Sequence, residues 1–303
     1  FLYAITSLTF SLLSLMPGNT ATVIIQEVFV GDRGYVPTAS EIAKVREMYG
    51  LNEPLYLRYF HWLGNALRGN FGISYMTGMP VSDEIWTRLK TTITLATISG
   101  IMTFIFAISA GLYSASKRGY IIDKVLTFFS GIFVSVPEFL LGMILMLVFS
   151  LKMNLFPVSG WGSPTNMVLP AVTLAMGRMA FTTRIVRASS LDVMEKEYIT
   201  TARAKGLKEN HILTHHVLKN ALIPVMPYIG LEIGSLLSGA MIVETLFSIP
   251  GLGQLLVNSI IARDMPVIQA CAAVIALMYA TANIIADEFT RILDPRIRFE
   301  GKK

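Results

Sequence analysis

The chain has 303 residues, 53% of them hydrophobic and only 15% charged, with mean hydropathy +0.58 and formal net charge +5. A soluble domain carries about 25% charged residues, so the depletion argues against a water-soluble protein or a nucleic-acid binder and for a polytopic membrane protein. Sixteen Met and one Cys, Cys271 inside an apolar run, fit lipid-facing packing without a disulfide framework.

The opening run FLYAITSLTFSLLSLM (residues 1–16) is apolar but shorter than the about 20 residues a span requires. A signal peptide is also short and apolar. No small-x-small cleavage site precedes Pro17-Gly18, so the run is expected to be the outer part of a first transmembrane helix, truncated at Phe1. Residues 17–91 follow as a long connection with helical signals. Thr38 and Glu41 form a capping box ahead of Ile42, Val45 and Tyr49. Pro54 suits the first turn of a helix whose Leu55, Tyr59, Trp62, Leu63 and Ala66 share a face. RGNFG ends that helix, and Ser82-Asp83-Glu84 starts another that leads into the second span.

Five further spans are expected: 93–115, 125–151 with only Glu138 inside it, 167–187 with Arg178 and Arg184, 221–246, and the uncharged 265–286. Runs this long in hydrocarbon are helices. The fold class is therefore all-α, with six transmembrane helices, an external helical segment over 17–91 and a transmembrane core over 92–303. Lys and Arg set the orientation. They gather at Lys117, Arg118 and Lys124, at Arg184, Arg187, Lys196, Arg203, Lys205, Lys208 and Lys219, and in the tail at Arg291, Arg296, Arg298, Lys302 and Lys303. The connection 152–166 has only Lys152, and 248–265 only Arg263. The alternation places both termini and the 188–219 loop on the cytoplasmic side and 17–91 outside.

That loop reads as two helices around a glycine. Leu191, Met194, Tyr198 and Ala202 keep helical spacing, with Asp192, Glu195 and Glu197 early, where the helix dipole favours acids. Gly206 suits a left-handed helix end, and Leu213, Val217 and Ala221 line one side of the second helix. Ala202, Ala204 and Gly206 leave room for another surface to approach the backbone. A docking knob is one reading; a solvated loop obeying the positive-inside rule and an amphipathic pair lying on anionic lipid are others. His211, His215 and His216 have zinc-compatible spacing but neither a Cys nor a fixed carboxylate beside them, so no metal site is expected.

The stretch EYITTARAKGL…HHVLKNALIPV resembles the cytoplasmic loop of binding-protein-dependent ABC importer permeases, in particular the oligopeptide/dipeptide/nickel branch. The likeness extends through MPGNTA, LNEPLYLRYFHWLGNALRGNFGISYMTGMPV, VSVPEF, VLPAVTLAMG, VETLFSIPGLGQLL, ARDMPVIQA and LDPRIR. It is similar to the first of the branch's two permease types, the one with the long external segment. The resemblance implies a coupling helix seated on a cytoplasmic ATPase, formed by Thr201, Ala202, Arg203, Ala204, Lys205, Gly206 and Leu207, with Glu197 and Tyr198 leading in. The wider superfamily's motif begins Glu-Ala-Ala, where this chain has Thr200 and Thr201, and its Pro lies nearer the glycine than Pro224 does. The implied partners are a second homologous permease, two ATP-binding subunits that carry ATP and Mg, an extracytoplasmic binding protein and membrane lipids, in a bacterial cytoplasmic membrane. The implied cargo is a di- or oligopeptide, with a nickel chelate or other small molecule as the alternative.

This chain contains no G-x-x-x-x-G-K-[ST], H-E-x-x-H or G-x-S-x-G, so hydrolysis is expected on the partners and no catalytic residue here. Polar groups at membrane depth are the pathway candidates: Glu138, Arg178, Glu232 and Glu244. Glu138 and Glu244 are expected near wet external ends, and Arg178 is a candidate for a structural pair with a carboxylate. Pro250, Gly251 and Gly253, in SIPGLGQLLVNSIIARDMP, are expected to cap the outer mouth. A secondary transporter would use the same acids for ions. An intramembrane enzyme would need a facing pair, for which Glu232 with Asp287 is the only suggestion.

Overall fold

The computed structural model describes residues 2–15, 20–31 and 34–293. The basic tail from residue 294, the end of the LDPRIR motif, residues 16–19 of MPGNTA and the side chains of Asp287 and Arg291 lie outside the described residues. Among the described residues the chain is all-α, and the one β-type pairing is an isolated bridge between Ile73 and Pro80.

In chain order, α1 (Leu2–Leu15) and α2 (Thr20–Ile24) precede α3 (Ala39–Met48) and α4 (Leu55–Ala66). The α3 capping box is formed in full: the Thr38 side chain accepts from the Glu41 N–H, and the Glu41 carboxylate accepts from the Thr38 N–H at 2.7 Å. Pro54 sits just ahead of α4 as its N-cap. The helix α5 (Val81–Ser116) runs 36 residues without a break. At 1.5 Å per residue it is about 54 Å long, well beyond the about 30 Å of a hydrocarbon core. The external helix and the span expected from residue 93 are thus one rod.

The expected span 125–151 is instead broken. Helix α6 (Ile121–Ser135) and α7 (Glu138–Leu145), continued by a π-helical stretch to Lys152, meet at an angle of 109°. Pro137 supplies no N–H and forces its predecessor out of the helical region, and Val136 is accordingly extended (φ −82°, ψ 125°). Helix α8 (Pro164–Met194) starts at Ser163, whose hydroxyl accepts from the Asn166 N–H. Then come α9 (Glu197–Ala204), α10 (Glu209–His211) with a π-helical stretch to Val217, α11 (Leu218–Leu222), a 3₁₀ turn at Ile223–Val225 and α12 (Met226–Leu246). The chain ends in α13 (Leu252–Ala262) and α14 (Met265–Leu293).

By length and composition, two helices among the described residues suffice to cross a membrane, Val81–Ser116 and Met265–Ile285, or up to four if each bent pair counts as one crossing. The opening run gives a shorter apolar helix over Tyr3–Leu12, and α8, with three arginines from its midpoint onward, is not among the helices that suffice. The expected count of six crossings thus goes beyond what length and composition support among the described residues.

The chain divides into two compact units, Phe1–Thr92 with Pro250–Met278, and Ile93–Ile249 with Tyr279–Lys303. In the first, Ala21, Ile24, Ile25 and Val45 form one small core, and Val81, Ile85, Leu252, Leu255, Val267, Ala270 and Cys271 another. Here α1 is pinned to α4 by Tyr59, whose phenol lies 2.9 Å from the Thr6 hydroxyl and whose ring meets Tyr3 and Phe10 edge-on. Asp264, buried, accepts from the Ser74 hydroxyl at 2.5 Å and from the Tyr75 and Met76 amides, which ties the 74–79 loop to the turn between α13 and α14. In the second unit, Leu95, Leu169, Leu174, Leu236, Val243 and Phe247 form the main core. The basic hairpin has a core of its own.

Candidate functional site

The hairpin is built on α8. Glu195 and Lys196 interrupt the helix expected to run from Leu191 to Ala202, so α9 is a separate element beginning at Glu197. Its inner face is Ile199 and Ala202, packed on Val193, Ile212, Val217 and Ala221, with Leu112 of α5 against the same cluster. Ala202, expected on the approach surface, therefore points inward at 7% exposure, and Ile199, which sequence reading passed over, is fully buried. The Ser189 hydroxyl donates to the Ala221 carbonyl at 2.7 Å and closes the base of the hairpin. Gly206 makes the turn at φ 79°, in the left-handed region that favours glycine. Arg203 on one arm donates to Glu209 on the other at 2.8 Å, and its guanidinium holds the Glu209 carboxyl below the usual carboxylate range. The outward surface is Glu197, Tyr198, Thr201, Arg203, Ala204, Lys205, Gly206 and Leu207. His211 stacks on His215 with ring centroids 4.2 Å apart, and among the described residues no group of three His, Cys, Asp or Glu is placed to hold a metal ion.

A clamp that sequence reading missed stands near the hairpin's base. Arg187 on α8 donates from Nε and Nη2 to the two carboxylate oxygens of Asp123 at 2.6 and 2.9 Å. Ser114 and the Gly119 amide donate to the same oxygens, so Asp123, at 4% exposure, is fully satisfied. The α5–α8 crossing beside it depends on Gly111, where a Cβ would sit 2.7 Å from Val186 Cβ and 2.8 Å from the Thr183 carbonyl oxygen. The only sequence signal was an acid among basic residues in the 117–124 loop.

Higher on α8, Arg178, Glu138 and Glu232 come together. The guanidinium donates to Glu138 Oε2 (3.2 Å), the Leu174 carbonyl (2.7 Å), the Ser235 carbonyl (2.8 Å) and the Ser235 hydroxyl (3.1 Å), and its Nε lies 3.6 Å from Glu232 Oε2. Ser235 in turn donates to Glu232 Oε2 at 3.1 Å. Glu138 Oε1 is buried with no hydrogen-bond partner. These groups line a cavity of about 280 Å³ whose walls include Phe133, Phe181 and Gly177. Gly239 lets α12 approach: a Cβ there would fall 2.3 Å from Arg178 Nη2 and 2.9 Å from Glu138 Oε2.

Glu244 does not join this cluster. Expected near a wet end, it is fully buried, and most of Glu138 is also buried, where Arg178 pairs with it. The pairing of Glu232 with Asp287 falls on a side chain outside the described residues; Glu232 is held beside Arg178. Gly251 and Gly253 are buried at the start of α13, where the Leu252 amide donates to the Thr92 hydroxyl at 2.9 Å, and Pro250 is half-buried beside them.

Residues 104–299 match the family described as binding-protein-dependent transport system inner membrane component. The chain is 39% identical to the oligopeptide transport system permease protein AppB of Bacillus subtilis (strain 168), over 98% of this chain and 95% of that one. It is 38% identical to a probable peptide ABC transporter permease protein, y4tP, of Sinorhizobium fredii (strain NBRC 101917 / NGR234), over 96% and 93%. It is 36% identical to the glutathione transport system permease protein GsiC of Escherichia coli (strain K12), over 99% and 95%. Among solved structures, an inward-facing conformation of the MetNI methionine ABC transporter aligns with TM-score 0.59 at 17% identity, over 69% of this chain and 96% of that one, a likeness of fold alone.

Proposed function

The chain belongs to the binding-protein-dependent inner-membrane component family and is a non-catalytic permease subunit of an ABC importer, and from that premise we propose that it carries peptides and is driven through the 197–207 hairpin. The observation that carries this reading is that hairpin and charged cavity share one continuous helix. Arg178 stands 16 residues before the end of α8, about 24 Å along the helix axis, and α9 follows after a two-residue turn. A push on the hairpin's outward surface is delivered to α8 as a rigid element through the Ile199–Val217 core and the Arg187–Asp123 clamp. Partner ATPases can drive the permease only through contacts that differ between its inward- and outward-facing states. Glu197, Tyr198, Thr201, Arg203, Lys205 and Leu207 are the side chains exposed for such contacts, while Ala202 holds the helix onto its base.

In this reading two ATP-binding subunits hydrolyse Mg-ATP, a second homologous permease completes the pathway, and an extracytoplasmic binding protein delivers the peptide. Both termini and the hairpin face the cytoplasm, residues 17–91 lie outside, and Pro250, Gly251 and Gly253 close the outer mouth. Glu138, Arg178 and Glu232 line this subunit's side of the pathway, and Glu244 supports it from within the core.

The test is ATP hydrolysis by the co-purified complex in lipid, with and without binding protein and peptide, for wild type and for Gly206→Pro combined with Arg203→Glu. The expected result is loss of substrate-stimulated hydrolysis, or loss of the ATPases from the complex. Unchanged stimulated hydrolysis and transport in the variant would overturn the assignment of the hairpin.

A further inference from the structure

The first unit holds a larger cavity, about 620 Å³, within the about 300–1,000 Å³ range of ligand sites. It lies between α4, the 70–75 loop and the start of α14, and nothing in the coupling or pathway reading uses it. Helix α4 turns Arg58, His61 and Trp62 toward it, at the i, i+3, i+4 spacing of one helix face. Phe10, Phe71 and Met265 add apolar wall.

Its hydrogen-bonding groups are out of balance in one direction. Arg58 is half-buried, yet among the described residues its guanidinium donates to no acceptor. The Trp62 indole N–H is buried and without a partner. Tyr75 stands at the same wall; burial pushes its phenol up to about 12 even with Arg58 close enough to pull it down, so it stays protonated as a donor. Among the described residues the one acid lining the cavity, Glu53, is already engaged with His61 at 3.1 Å. Leaving the buried Trp62 N–H unpaired is costly. A guanidinium with two neutral donors beside aromatic walls has the chemistry that recognises a carboxylate attached to an apolar residue.

We propose that this cavity binds the terminal carboxylate of a peptide, with Arg58 as the charged anchor and Trp62 and Tyr75 as neutral donors. The proposal rests on the peptide-importer reading and on the placement of residues 17–91 outside the membrane, and makes the cavity a carboxylate-selecting station.

The test uses the complete complex of permeases and ATPases in nanodiscs, with no binding protein present, and equilibrium binding of labelled Ala-Ala-Ala and of its C-terminal amide. The acid should bind roughly ten- to a hundredfold more tightly than the amide, the usual range for a hydrogen bond to a charged group. Arg58→Met should remove that preference while leaving the amide's weak binding unchanged, and Arg58→Lys should restore part of it. Trp62→Phe, which deletes only the N–H, should weaken the acid by about three- to tenfold and decides the matter if Arg58→Met fails to assemble. Equal binding of acid and amide by wild type overturns the proposal, as does an acid preference that survives both variants. So does an effect of Arg58→Met confined to docking of the binding protein, which would assign the carboxylate to that protein. Peptide uptake by wild type with its binding protein is measured alongside: its absence would sink the peptide reading itself, whereas intact uptake with no acid preference sinks only this inference.

Discussion

Two arginines nine residues apart on α8 meet carboxylates in opposite ways. Arg187 engages one acid, Asp123, with two parallel hydrogen bonds, and Ser114 and Gly119 use what remains of that carboxylate. Arg178 is shared between two acids on two helices, makes its shortest bonds to backbone carbonyls, and leaves Glu138 Oε1 without a donor beside a cavity. A fully satisfied network of this kind fixes geometry. The difference is between a carboxylate whose hydrogen bonds are complete and one that, among the described residues, keeps a buried oxygen without a donor.

The largest effect should come from breaking the closed network. Asp123→Ala strands a charge that is partly buried at the hairpin's base, and loss of one partner from a buried pair costs about 3–5 kcal/mol. The variant complex should unfold at markedly lower temperature or fail to assemble. Glu138→Gln, with Glu232 and Ser235 still holding Arg178, should shift the melting temperature far less while lowering peptide uptake. Equal destabilisation by the two would erase the distinction drawn here.

The glycines beside the two arginines sharpen it. Gly111→Ala pushes a methyl against the Thr183 carbonyl and Val186 Cβ, neither of which can swing away, and overpacking of this kind costs about 1–3 kcal/mol. Gly239→Ala meets the far end of the Arg178 side chain, which can move. The first should lower the melting temperature of the complex; the second should leave it nearly unchanged yet reduce uptake by displacing the guanidinium from Glu138.

The smallest effect belongs to the exposed Arg203–Glu209 pair. Glu209 is held below its ordinary value of 4.5 by the Arg203 hydrogen bonds. Its contribution is therefore complete above pH 4.5 and disappears as the pH falls through the lowered value. Both side chains are about half exposed, so solvent screening limits the contribution to a few tenths of a kcal/mol. The melting temperature of Glu209→Gln should lie slightly below wild type at pH 7 and match it once the pH has fallen through that lowered value. A gap that widens on acidification would contradict the assigned pairing.

Local features were legible before any coordinates. Thr38 and Glu41 announced the start of α3 because a capping box is completed within four residues. Gly206 announced the hairpin turn because a left-handed conformation favours glycine wherever it occurs. The long apolar runs at 93–115 and 265–286 reported helices because hydrocarbon permits little else. The sharp fold at Val136–Pro137 was half legible: proline forbids a continuous helix, but the 109° angle depends on what α7 packs against.

The class of the protein, its helices and caps, and the wet hairpin in an apolar chain can all be read along the chain, since each depends on residues within a few turns of one another. Packing alone turns Ala202 inward, clamps Asp123 on Arg187, shares Arg178 between Glu138 and Glu232, and gathers Arg58, Trp62 and Tyr75 around one cavity. The ion pairs join residues 40 to 64 positions apart, Tyr75 lies beyond the helix that carries Arg58 and Trp62, and a charge in a sequence carries no label for the partner that packing will bring beside it.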